Sequence, residues 1–273
     1  MKVLIVIVLY KQSLKESTAY NSLHQANKEG LFEYGFYVRD NSPISADIGH
    51  EIIYYTHNPE NSGLSVAFNQ AAKYALENGF EWLLLSDQDT YFSIDFLQKM
   101  QQAVVEFPSI SLFAPIVKLS NNTFFSPCKF RSMVSKPLRS ISHGEKSLHS
   151  TMPVNSGLLI KTSRFLEAGG YDENLRVDFC DFAFLSKVKK IDDKYVVVDS
   201  TAVQSFSNEE KDEEKLLSRF HIYITDAKNY SCDTFKEKTG LFYSVLKHTV
   251  VLTVRTKRIA FFNVFLKKYI FAL

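Results

Sequence analysis

The sequence predicts an α/β fold with a mixed, mostly parallel sheet flanked by helices and followed by a C-terminal helical extension. Short runs rich in β-branched and aromatic residues alternate with helical patterns, which is typical of βαβ units. The 273 residues are 45% hydrophobic and 23% charged, so the chain can bury a large core. After position 207 the pattern becomes helical, charged and finally basic. We therefore predict two parts, a sheet-containing domain over residues 1–207 and a helical extension over residues 208–273.

The strands of this sheet are predicted from apolar runs along the chain. They cover residues 3–9, 36–39, 52–55, 82–86, 112–117, 154–160 and 195–199. Helices are predicted from the apolar face of residues 64–76, from residues 94–106 and from residues 162–168. Residues 119–152 show no sustained period and are predicted to form a loop-rich insertion.

Several classes of protein are excluded by the composition. The first apolar run, residues 3–9, has no small-residue cleavage site behind it and fits a buried strand better than a signal peptide. No segment approaches the ~20 apolar residues of a membrane span. The three cysteines lie far apart, which argues against a disulfide framework or a zinc site. We expect a cytoplasmic protein, acting either free or at the inner face of the cell membrane.

Polar residues follow the predicted strands at one edge of the sheet. They are Tyr10-Lys11 after the first strand, Asp40-Asn41-Ser42 after the second, Asn58 and Asn61-Ser62-Gly63 after the third, and Asp87-Gln88-Asp89 after the fourth. Ligands of doubly wound sheets bind at the carboxyl ends of the strands. Neither a Walker loop nor a GxGxxG turn follows the first strand, which argues against a P-loop NTPase or a dinucleotide dehydrogenase.

The pair Asp87 and Asp89 is the sharpest of these features. Two carboxylates at the end of a hydrophobic strand can place hard oxygens toward a divalent cation that also touches a diphosphate. The alternative is a solvated turn in which Asp89-Thr90 or Ser93 caps the helix predicted from Ile94. We favour the metal site because the pair directly follows a buried strand, in step with Asp40.

Five segments together resemble an inverting glycosyltransferase of family 2, more narrowly its bacterial rhamnosyltransferase branch. The segments are VRDNS (residues 38–42), NSGLSVAFN (61–69), SDQD (86–89), GGYDE (169–173) and DFCD (178–181). They occur in the order of the family and span residues 1 to about 205. The resemblance implies the GT-A fold and makes residues 1–207 the nucleotide-sugar-binding and catalytic domain.

The resemblance also implies roles for the residues at the strand ends. Asp40 would hold the nucleotide base, with Tyr10 and Lys11 lining the same pocket. Asp87 would lie against the ribose and diphosphate, and Asp89 would ligate Mn²⁺ or Mg²⁺ together with it. Asn61, Gly63 and Asn69 match a motif beside the donor.

For three of these residues a structural reading stays open. Gly63 could serve only to permit the backbone conformation needed at a helix start. Asn69 could be a buried amide that bonds a neighbouring loop. Tyr10 could be a packing aromatic residue.

Inverting transfer needs a carboxylate that takes the proton of the acceptor hydroxyl. In the family this is commonly the Asp of a Glu-Asp pair with a basic residue six positions later, and counting back from Lys187 gives Asp181, with Cys180 in the place of the Glu. Asp178 is the alternative, either as the base or as an acceptor-orienting partner on the same helical face. An acidic first helical turn without a catalytic role is the remaining reading.

Two departures from the family pattern stand out. Gln204 lies where many relatives carry a His that ligates the metal or contacts the diphosphate, and Gln is a poor metal ligand beside imidazole. Lys187 replaces the usual Arg and lacks its planar fork. Both departures allow an altered donor or a weakened enzyme.

The C-terminal extension is strongly basic. From Lys236 onward it contains Glu237 as its one acid and the basic residues Lys236, Lys238, Lys247, Arg255, Lys257, Arg258, Lys267 and Lys268. The aromatic residues of this region are predicted to form an apolar surface: Phe261, Phe262, Phe265, Tyr269 and Phe271. Such a helix can lie in the interface of an anionic membrane. Alternatively, the aromatic residues complete the core or a dimer interface, which leaves homo-oligomer formation open. A nucleic-acid partner is not expected.

We therefore predict an inverting, metal-dependent hexosyltransferase that uses a nucleotide-diphosphate sugar. By resemblance the favoured donor is dTDP-rhamnose, otherwise a UDP-sugar, and the acceptor is a bacterial surface polysaccharide or a lipid-linked glycan, as in capsule or O-antigen synthesis. Two alternatives stay open. One is a sugar nucleotidyltransferase, disfavoured because a glycine- and arginine-rich phosphate loop is missing, and the other is a degenerate scaffold that binds glycan or partners.

Overall fold

The structure is a computed structural model that describes residues 1–26, 33–45, 48, 53–204 and 212–271. Its strands are β1 (Lys2–Leu9), β2 (Glu33–Asp40), β3 (Ile53–His57), β4 (Trp82–Asp87), β5 (Thr90–Phe92), β6 (Leu112–Leu119), β7 (Phe124–Ser126), β8 (Lys129–Arg131), β9 (Val134–Lys136), β10 (Gly144–Ser147), β11 (Leu158–Lys161) and β12 (Lys194–Gln204). Its helices are α1 (Thr18–Ala26), α2 (Gly63–Glu77), α3 (Phe96–Glu106), α4 (Thr162–Glu167), α5 (Cys180–Ile191), α6 (Glu213–Asn229), α7 (Phe235–Thr256) and α8 (Ala260–Val264), and a π-helical turn covers Phe265–Ile270.

A mixed sheet forms the centre of the molecule, in the order β10-β12-β6-β11-β4-β1-β2-β3. Strands β4, β1, β2 and β3 run parallel, as do β6 and β12, while β11 is antiparallel to both of its neighbours. The expected α/β architecture with a mostly parallel central sheet flanked by helices is therefore confirmed.

Helices cover both faces of the sheet because the strands are apolar on both faces. Along β1, Leu4, Val6 and Val8 pack into one core and Val3, Ile5, Ile7 and Leu9 into the other. The first core includes residues of α2 and α5, and the second includes residues of α1 and α3. The alternation of side chains along one strand thus fixes helices on opposite faces.

The structure differs from the sequence prediction at two places within the sheet, and a third prediction cannot be compared. Strand β5 was not predicted, and it pairs with β12 where a helix was expected to begin at Ile94; α3 begins instead at Phe96. The predicted strand 154–160 is shorter, because only Leu158–Lys161 pairs. The start of the third strand at Ile52 lies outside the described residues.

The predicted loop-rich insertion contains short strands. Strands β8 and β9 form a hairpin, β7 pairs with β6, and β10 extends the edge of the main sheet beside β12. Each spans three or four residues, too few for a period to show in the sequence.

The C-terminal extension is helical and packs on the rest of the molecule through its own apolar cluster, which includes Phe220 and Ile224 of α6 and Met133 of the insertion. The prediction of a continuous aromatic surface is wrong for Phe261 and Phe265, which are buried in this cluster because α8 and the π-helical turn fold back onto α6. Phe271 is exposed. Over the described ranges, no helix combines the length and apolar composition that crossing a bilayer requires. The predicted boundary between residues 207 and 208 lies outside the described residues.

Candidate active site

Strand register brings the polar strand ends together at the carboxyl edge of β1, β2 and β4. Leu9 of β1 pairs with Asp40 of β2, and Val8 pairs with Asp87 of β4. We call the edge formed by these strand ends the donor edge. The structure therefore places Asp40 and Asp87 on either side of the end of one central strand, as the sequence predicted.

Asp40 is fully buried and held by its neighbours. Its carboxylate accepts hydrogen bonds from the Tyr55 hydroxyl at 2.7 Å and from the backbone amide of Ser42 at 2.9 Å. These bonds fix the orientation of the carboxylate at the end of β2. Tyr55, on β3, was not singled out from the sequence.

Tyr10 and Lys11 form the exposed rim of the donor edge. Tyr10 is 43% exposed, so it is not a packing residue of the core. Its backbone amide donates to the Gln88 side-chain oxygen at 2.8 Å, and the Lys11 amide donates to the Ser42 hydroxyl at 2.7 Å. The Lys11 ammonium lies 5.1 Å from the centre of the Tyr10 ring. Both side chains are therefore accessible to a ligand at this edge.

Asn69 bonds a neighbouring loop instead of facing the donor edge. Its side-chain oxygen accepts from the Tyr171 amide at 2.8 Å, and its amide group donates to the Tyr171 carbonyl at 3.0 Å and to Glu173 at 2.9 Å. This is the structural alternative stated for Asn69, and it explains why the segments 61–69 and 169–173 occur together.

Gly63 also has a backbone role. Its φ is +91°, and a Cβ atom at this position would lie 2.4 Å from the carbonyl oxygen of Arg176. The Arg176 guanidinium donates to the carbonyl oxygen of Asn61. Asn61 and Gly63 therefore join the start of α2 to the segment that precedes α5.

Asp87 is held by two side chains that approach from other strands. Its Oδ2 accepts from the Ser156 hydroxyl at 2.8 Å and from the Gln204 amide at 3.0 Å. Burial raises the pKa of Asp87, and these two hydrogen bonds lower it in part. Gln204 is the residue that stands where many relatives carry a His. The structure places its side chain beside the Asp87 carboxylate.

Asp89 lies two residues after Asp87, and its carboxyl group has a raised pKa. Burial, and then repulsion by Asp87, raise the pKa of Asp89 to about 6. The alternative in which Asp89-Thr90 or Ser93 caps the following helix is wrong, because β5 intervenes and Asp95 occupies the N-cap position of α3.

The donor set of this pair fits a divalent cation. Two neighbouring carboxylates whose ionisation is disfavoured by burial and by each other would be stabilised by Mn²⁺ or Mg²⁺. In the described part of the chain, no group of three or more His, Cys, Asp or Glu side chains is arranged to hold a metal by itself.

Asp181 lies in the first turn of α5, in surroundings that raise its pKa. Burial is the largest effect and raises its pKa to about 7, while a hydrogen bond from the Phe182 amide at 2.8 Å lowers it in part. The charges of Asp87 and Asp178 raise it further.

Asp178 lies outside helix α5, so the expectation that it shares a helical face with Asp181 is wrong. Phe179, between them, has a left-handed backbone with φ of 62°, and the helix begins at Cys180. The Asp178 carboxylate forms a two-pronged ion pair with the Arg219 guanidinium of α6, with one bond of 2.9 Å from Nη2 to Oδ1. This ion pair engages both carboxylate oxygens of Asp178.

Lys187 and Cys180 support the architecture of α5. The Lys187 ammonium donates to the Gly170 carbonyl at 2.8 Å, which ties the helix to the segment 169–173. The Cys180 thiol is buried and donates to the Val177 carbonyl at 3.1 Å. Burial raises its pKa well above the usual value, which argues against a nucleophilic role.

A cleft of about 640 Å³ opens beside Asp181. We call it the C-terminal cleft, because residues of the insertion and of the α5 start face residues of α6 and α7 across it. Much of its lining is aromatic: Phe124, Phe125, Phe130, Phe179, Phe182, Tyr223 and Tyr243. The rings of Phe130 and Phe182 stack in parallel with their centres 4.0 Å apart.

Helix α7 closes directly onto the insertion at this cleft. A Cβ atom on Gly240 would lie 1.8 Å from the carbonyl oxygen of Ser132, so the two backbones touch. The Ser244 hydroxyl donates to the Met133 carbonyl at 2.7 Å. The insertion and the extension therefore both line the cleft that Asp181 also lines.

Sequence reasoning missed the side chains that support the predicted ones. Ser156 was hidden inside a predicted strand, although Asn155-Ser156 is a polar break in that apolar run. Arg219 and Asp226 lie on α6, in the predicted separate extension. An acidic residue next to the apolar stripe of Phe220, Ile224 and Ala227 was an available signal for Asp226.

The sequence profile of glycosyl transferase family 2 matches residues 5–162 of this chain, which is more than half of it. A curated relative, dTDP-rhamnosyl transferase RfbF of Shigella flexneri, is 22% identical over 122 residues. That alignment covers 44% of this chain and 41% of the relative, so the chain matches less than half of the relative's length.

Solved structures of similar fold are glycosyltransferases of the GT-A type. GalNAc-T7 with UDP, GalNAc and Mn²⁺ is 14% identical with a TM-score of 0.57, and the match covers 87% of this chain and 53% of that one. TarS 1-349 of S. aureus in complex with UDP is 16% identical with a TM-score of 0.57, covering 88% and 70%. The mannosyltransferase PcManGT of Pyrobaculum calidifontis, with GDP-Man and Mn²⁺, is 11% identical with a TM-score of 0.53, covering 92% and 71%.

Proposed function

Because the chain belongs to glycosyl transferase family 2, we propose that it transfers a sugar from a nucleotide-diphosphate donor to a glycan or lipid-linked glycan with inversion at the anomeric carbon. The observation that carries this proposal is the register of β1, β2 and β4, which places the carboxylates of Asp40 and Asp87 on either side of the end of β1 at the donor edge. The favoured donor is dTDP-rhamnose, on the strength of the similarity to RfbF, and the alternative is a UDP-sugar.

The donor edge would bind the nucleotide part of the donor. Asp40 holds the base, Tyr10 and Lys11 border the same pocket, and Asp87 faces the ribose and diphosphate. Asp87 and Asp89 would hold Mn²⁺ or Mg²⁺, which when bound neutralises charge on the departing diphosphate. Asn61, Gly63 and Asn69 act behind this surface, because their contacts fix the backbone around it.

Asp181 would act as the general base. The acceptor oxygen forms a bond to the anomeric carbon as its proton moves to the Asp181 carboxylate, and the bond from that carbon to the diphosphate oxygen breaks. The nucleoside diphosphate leaves with the electron pair of that bond. A carboxylate whose pKa is raised to about 7 is a better proton acceptor near neutral pH than one at its usual value.

The C-terminal cleft would hold the acceptor. It borders Asp181, and its aromatic residues offer flat apolar faces on which the C–H surface of a sugar ring can pack. Tyr243 lies at the mouth of the cleft with 55% of its surface exposed. Truncation to Tyr243→Ala is expected to raise the KM for the acceptor and to leave donor affinity unchanged.

The experiment that tests the proposed function is calorimetric titration of the purified protein with UDP, dTDP, GDP and CDP, with and without Mn²⁺. Metal-dependent binding of one nucleotide identifies the donor class, and transfer from the corresponding nucleotide sugar is then followed by release of the nucleoside diphosphate. Binding that is lost in Asp40→Asn, but kept in Asp233→Asn at an exposed side chain between α6 and α7, places the nucleotide at the donor edge. No binding under any condition supports the degenerate scaffold instead.

The exposed face of α7 supports contact with an anionic bilayer. Val250, Val251 and Val254 are exposed on it, and Lys247 lies one turn before Val251. Apolar side chains beside basic ones match the chemistry of a membrane with acidic headgroups. This contact would bring the mouth of the C-terminal cleft close to a lipid-linked acceptor, because Lys247 and Val251 also line the cleft.

Sedimentation with vesicles tests the membrane contact. Vesicles containing phosphatidylglycerol should bind the protein, and vesicles of phosphatidylcholine alone should not. Val250→Ser combined with Val254→Ser should abolish the binding, whereas Val105→Ser, at an exposed site on α3, should not. Equal binding to both vesicle types, or none to either, would contradict the proposal.

A further inference from the structure

One short segment, residues 175–178, joins the donor side of the molecule to the helix that carries Asp181. On the donor side, the backbone amide of Leu64 donates to the Arg176 carbonyl at 2.6 Å, and the Ser65 hydroxyl donates to the carbonyl of Leu175. The close approach of Gly63 to Arg176 belongs to the same contact. This side of the segment is therefore fixed by the first turn of α2.

The opposite side of the segment is held by a single carboxylate of the C-terminal extension. Asp226 of α6 is fully buried and accepts three backbone amides, from Arg176 at 3.0 Å, Val177 at 2.9 Å and Asp178 at 2.8 Å. A buried amide left without an acceptor costs roughly 1–3 kcal/mol. Asp226 therefore supplies the hydrogen bonds that this irregular backbone cannot make within itself.

Arg219 adds a side-chain contact from the same helix. It lies seven residues, two helical turns, before Asp226, so both side chains extend from one face of α6. Its guanidinium holds the Asp178 carboxylate in the two-pronged ion pair, which fixes orientation as well as distance. Helix α6 thus holds residues 175–178 through the backbone amides of that segment and through the side chain of Asp178.

The end of the gripped segment determines where Asp181 lies. Asp178 is followed by Phe179 in the left-handed conformation and then by Cys180, where α5 begins. Asp181 is the second residue of that helix, so a shift of residues 176–178 moves its carboxylate. The side chain itself receives a hydrogen bond from the adjacent Phe182 amide, which cannot anchor it relative to the donor edge.

We propose that Asp226 and Arg219 are positioning residues for sugar transfer, which hold the Asp181 carboxylate at the anomeric carbon by fixing the segment 175–178. This inference rests on the proposed function. It makes helix α6 part of the catalytic machinery, although neither side chain acts on the reacting atoms itself.

The main test is Asp226→Asn. The Asn side chain keeps one acceptor oxygen but turns an amide group toward backbone donors, so at least one of the three hydrogen bonds is lost. We expect kcat to fall roughly 10- to 100-fold, the cost of a misplaced group near the reacting centre. The dissociation constant of the donor nucleotide should stay within about threefold, because the α2 contacts to the segment remain. Hydrogen exchange of the Arg176, Val177 and Asp178 amides should become faster.

Two further variants complete the experiment. Glu214→Gln makes the same acid-to-amide change on the same helix, at an exposed side chain that pairs with Arg258 at 2.8 Å, and should leave kcat and exchange unchanged. Arg219→Lys keeps the charge but not the two-pronged geometry, and it should lower kcat less than Arg219→Gln does.

The outcomes separate the two proposals. An active wild-type protein whose Asp226→Asn variant keeps its kcat overturns the positioning role alone. The role is also overturned if kcat falls only in proportion to the folded fraction measured by circular dichroism. A wild-type protein that transfers no sugar from any nucleotide sugar overturns the proposed function, and the catalytic part of this inference with it.

Discussion

The donor edge and the C-terminal cleft hold their carboxylates in different ways. At the donor edge, Asp40 and Asp87 each accept hydrogen bonds from side chains of other strands, including Tyr55 and Gln204. In the cleft, Asp181 accepts from the amide of its own neighbour, and the anchoring bonds are made instead to the backbone before it. The difference teaches that Asp40 and Asp87 are held by their own carboxylate oxygens, whereas Asp181 is held through the main chain that precedes it.

The variant Asp181→Asn should have the largest effect, because it changes turnover and leaves the donor edge intact. Because the amide cannot accept the proton, we expect kcat to fall by roughly 10²- to 10⁴-fold, with donor binding changed by less than about threefold. Single-turnover transfer and calorimetry measure the two quantities separately. Normal turnover would show that the base is another group, and Asp178 would be examined next.

The variant Asp89→Asn should give the opposite pattern. Removing one of two neighbouring carboxylates weakens cation binding, so the affinity for the nucleoside diphosphate in Mn²⁺ should fall at least roughly tenfold. Affinity measured in a chelator should be the same for wild type and variant. An equal loss under both conditions would mean that Asp89 contacts the nucleotide without a metal.

The pH dependence of transfer should follow the protonation of Asp181 in the cleft and not that of the carboxylates at the donor edge. With the pKa of free Asp181 raised to about 7, kcat/KM should increase roughly tenfold per pH unit below that value and level off above it. The profile is measured at saturating metal, so that protonation of Asp89 does not contribute. A profile that is flat between pH 5 and pH 8 would contradict the raised pKa.

The smallest expected effect is on stability. An acid whose pKa is higher in the folded than in the unfolded state makes stability fall as pH rises, here between about pH 4, the unfolded value, and about pH 7. Above that window the penalty is complete. Asp181→Asn should therefore raise the free energy of unfolding by roughly 1–3 kcal/mol at pH 8 in a chelator, and the gain should disappear near pH 4. Urea unfolding at both pH values measures it.

Features that depend on local sequence patterns could be predicted, whereas contacts between residues far apart in the chain could not. The apolar run of β1 and the polar residues after β2 and β4 are local patterns, and parallel register alone then brings Asp40 and Asp87 together. The grip of α6 on residues 176–178 spans about fifty positions, and nothing local encodes it. The same holds for Gln204, which reaches Asp87 because β12 pairs with β5 and places Gln204 opposite Thr90, just after the end of β4.

The insertion shows a second limit. Two of its strands are stabilised by partners elsewhere, β10 by β12 and β7 by β6, whereas β8 and β9 pair with each other, and none has a period of its own. For Asn69 the sequence left two readings, and a few hydrogen bonds to Tyr171 distinguish them. A polar residue near a strand end looks the same in a sequence whether its side chain bonds a neighbouring loop or faces a ligand.

The three amides bonded by Asp226 also bear on how chimeric enzymes of this family could be built. A designer who exchanges the C-terminal helices between relatives, in order to import a new acceptor preference, replaces the walls of the cleft and the anchor of residues 176–178 in one step. Grafts that preserve an acid at position 226 and a guanidinium at position 219 keep the native backbone of that segment. Grafts without them would leave the amides of residues 176–178 without these partners and would displace the start of α5, where Asp181 lies.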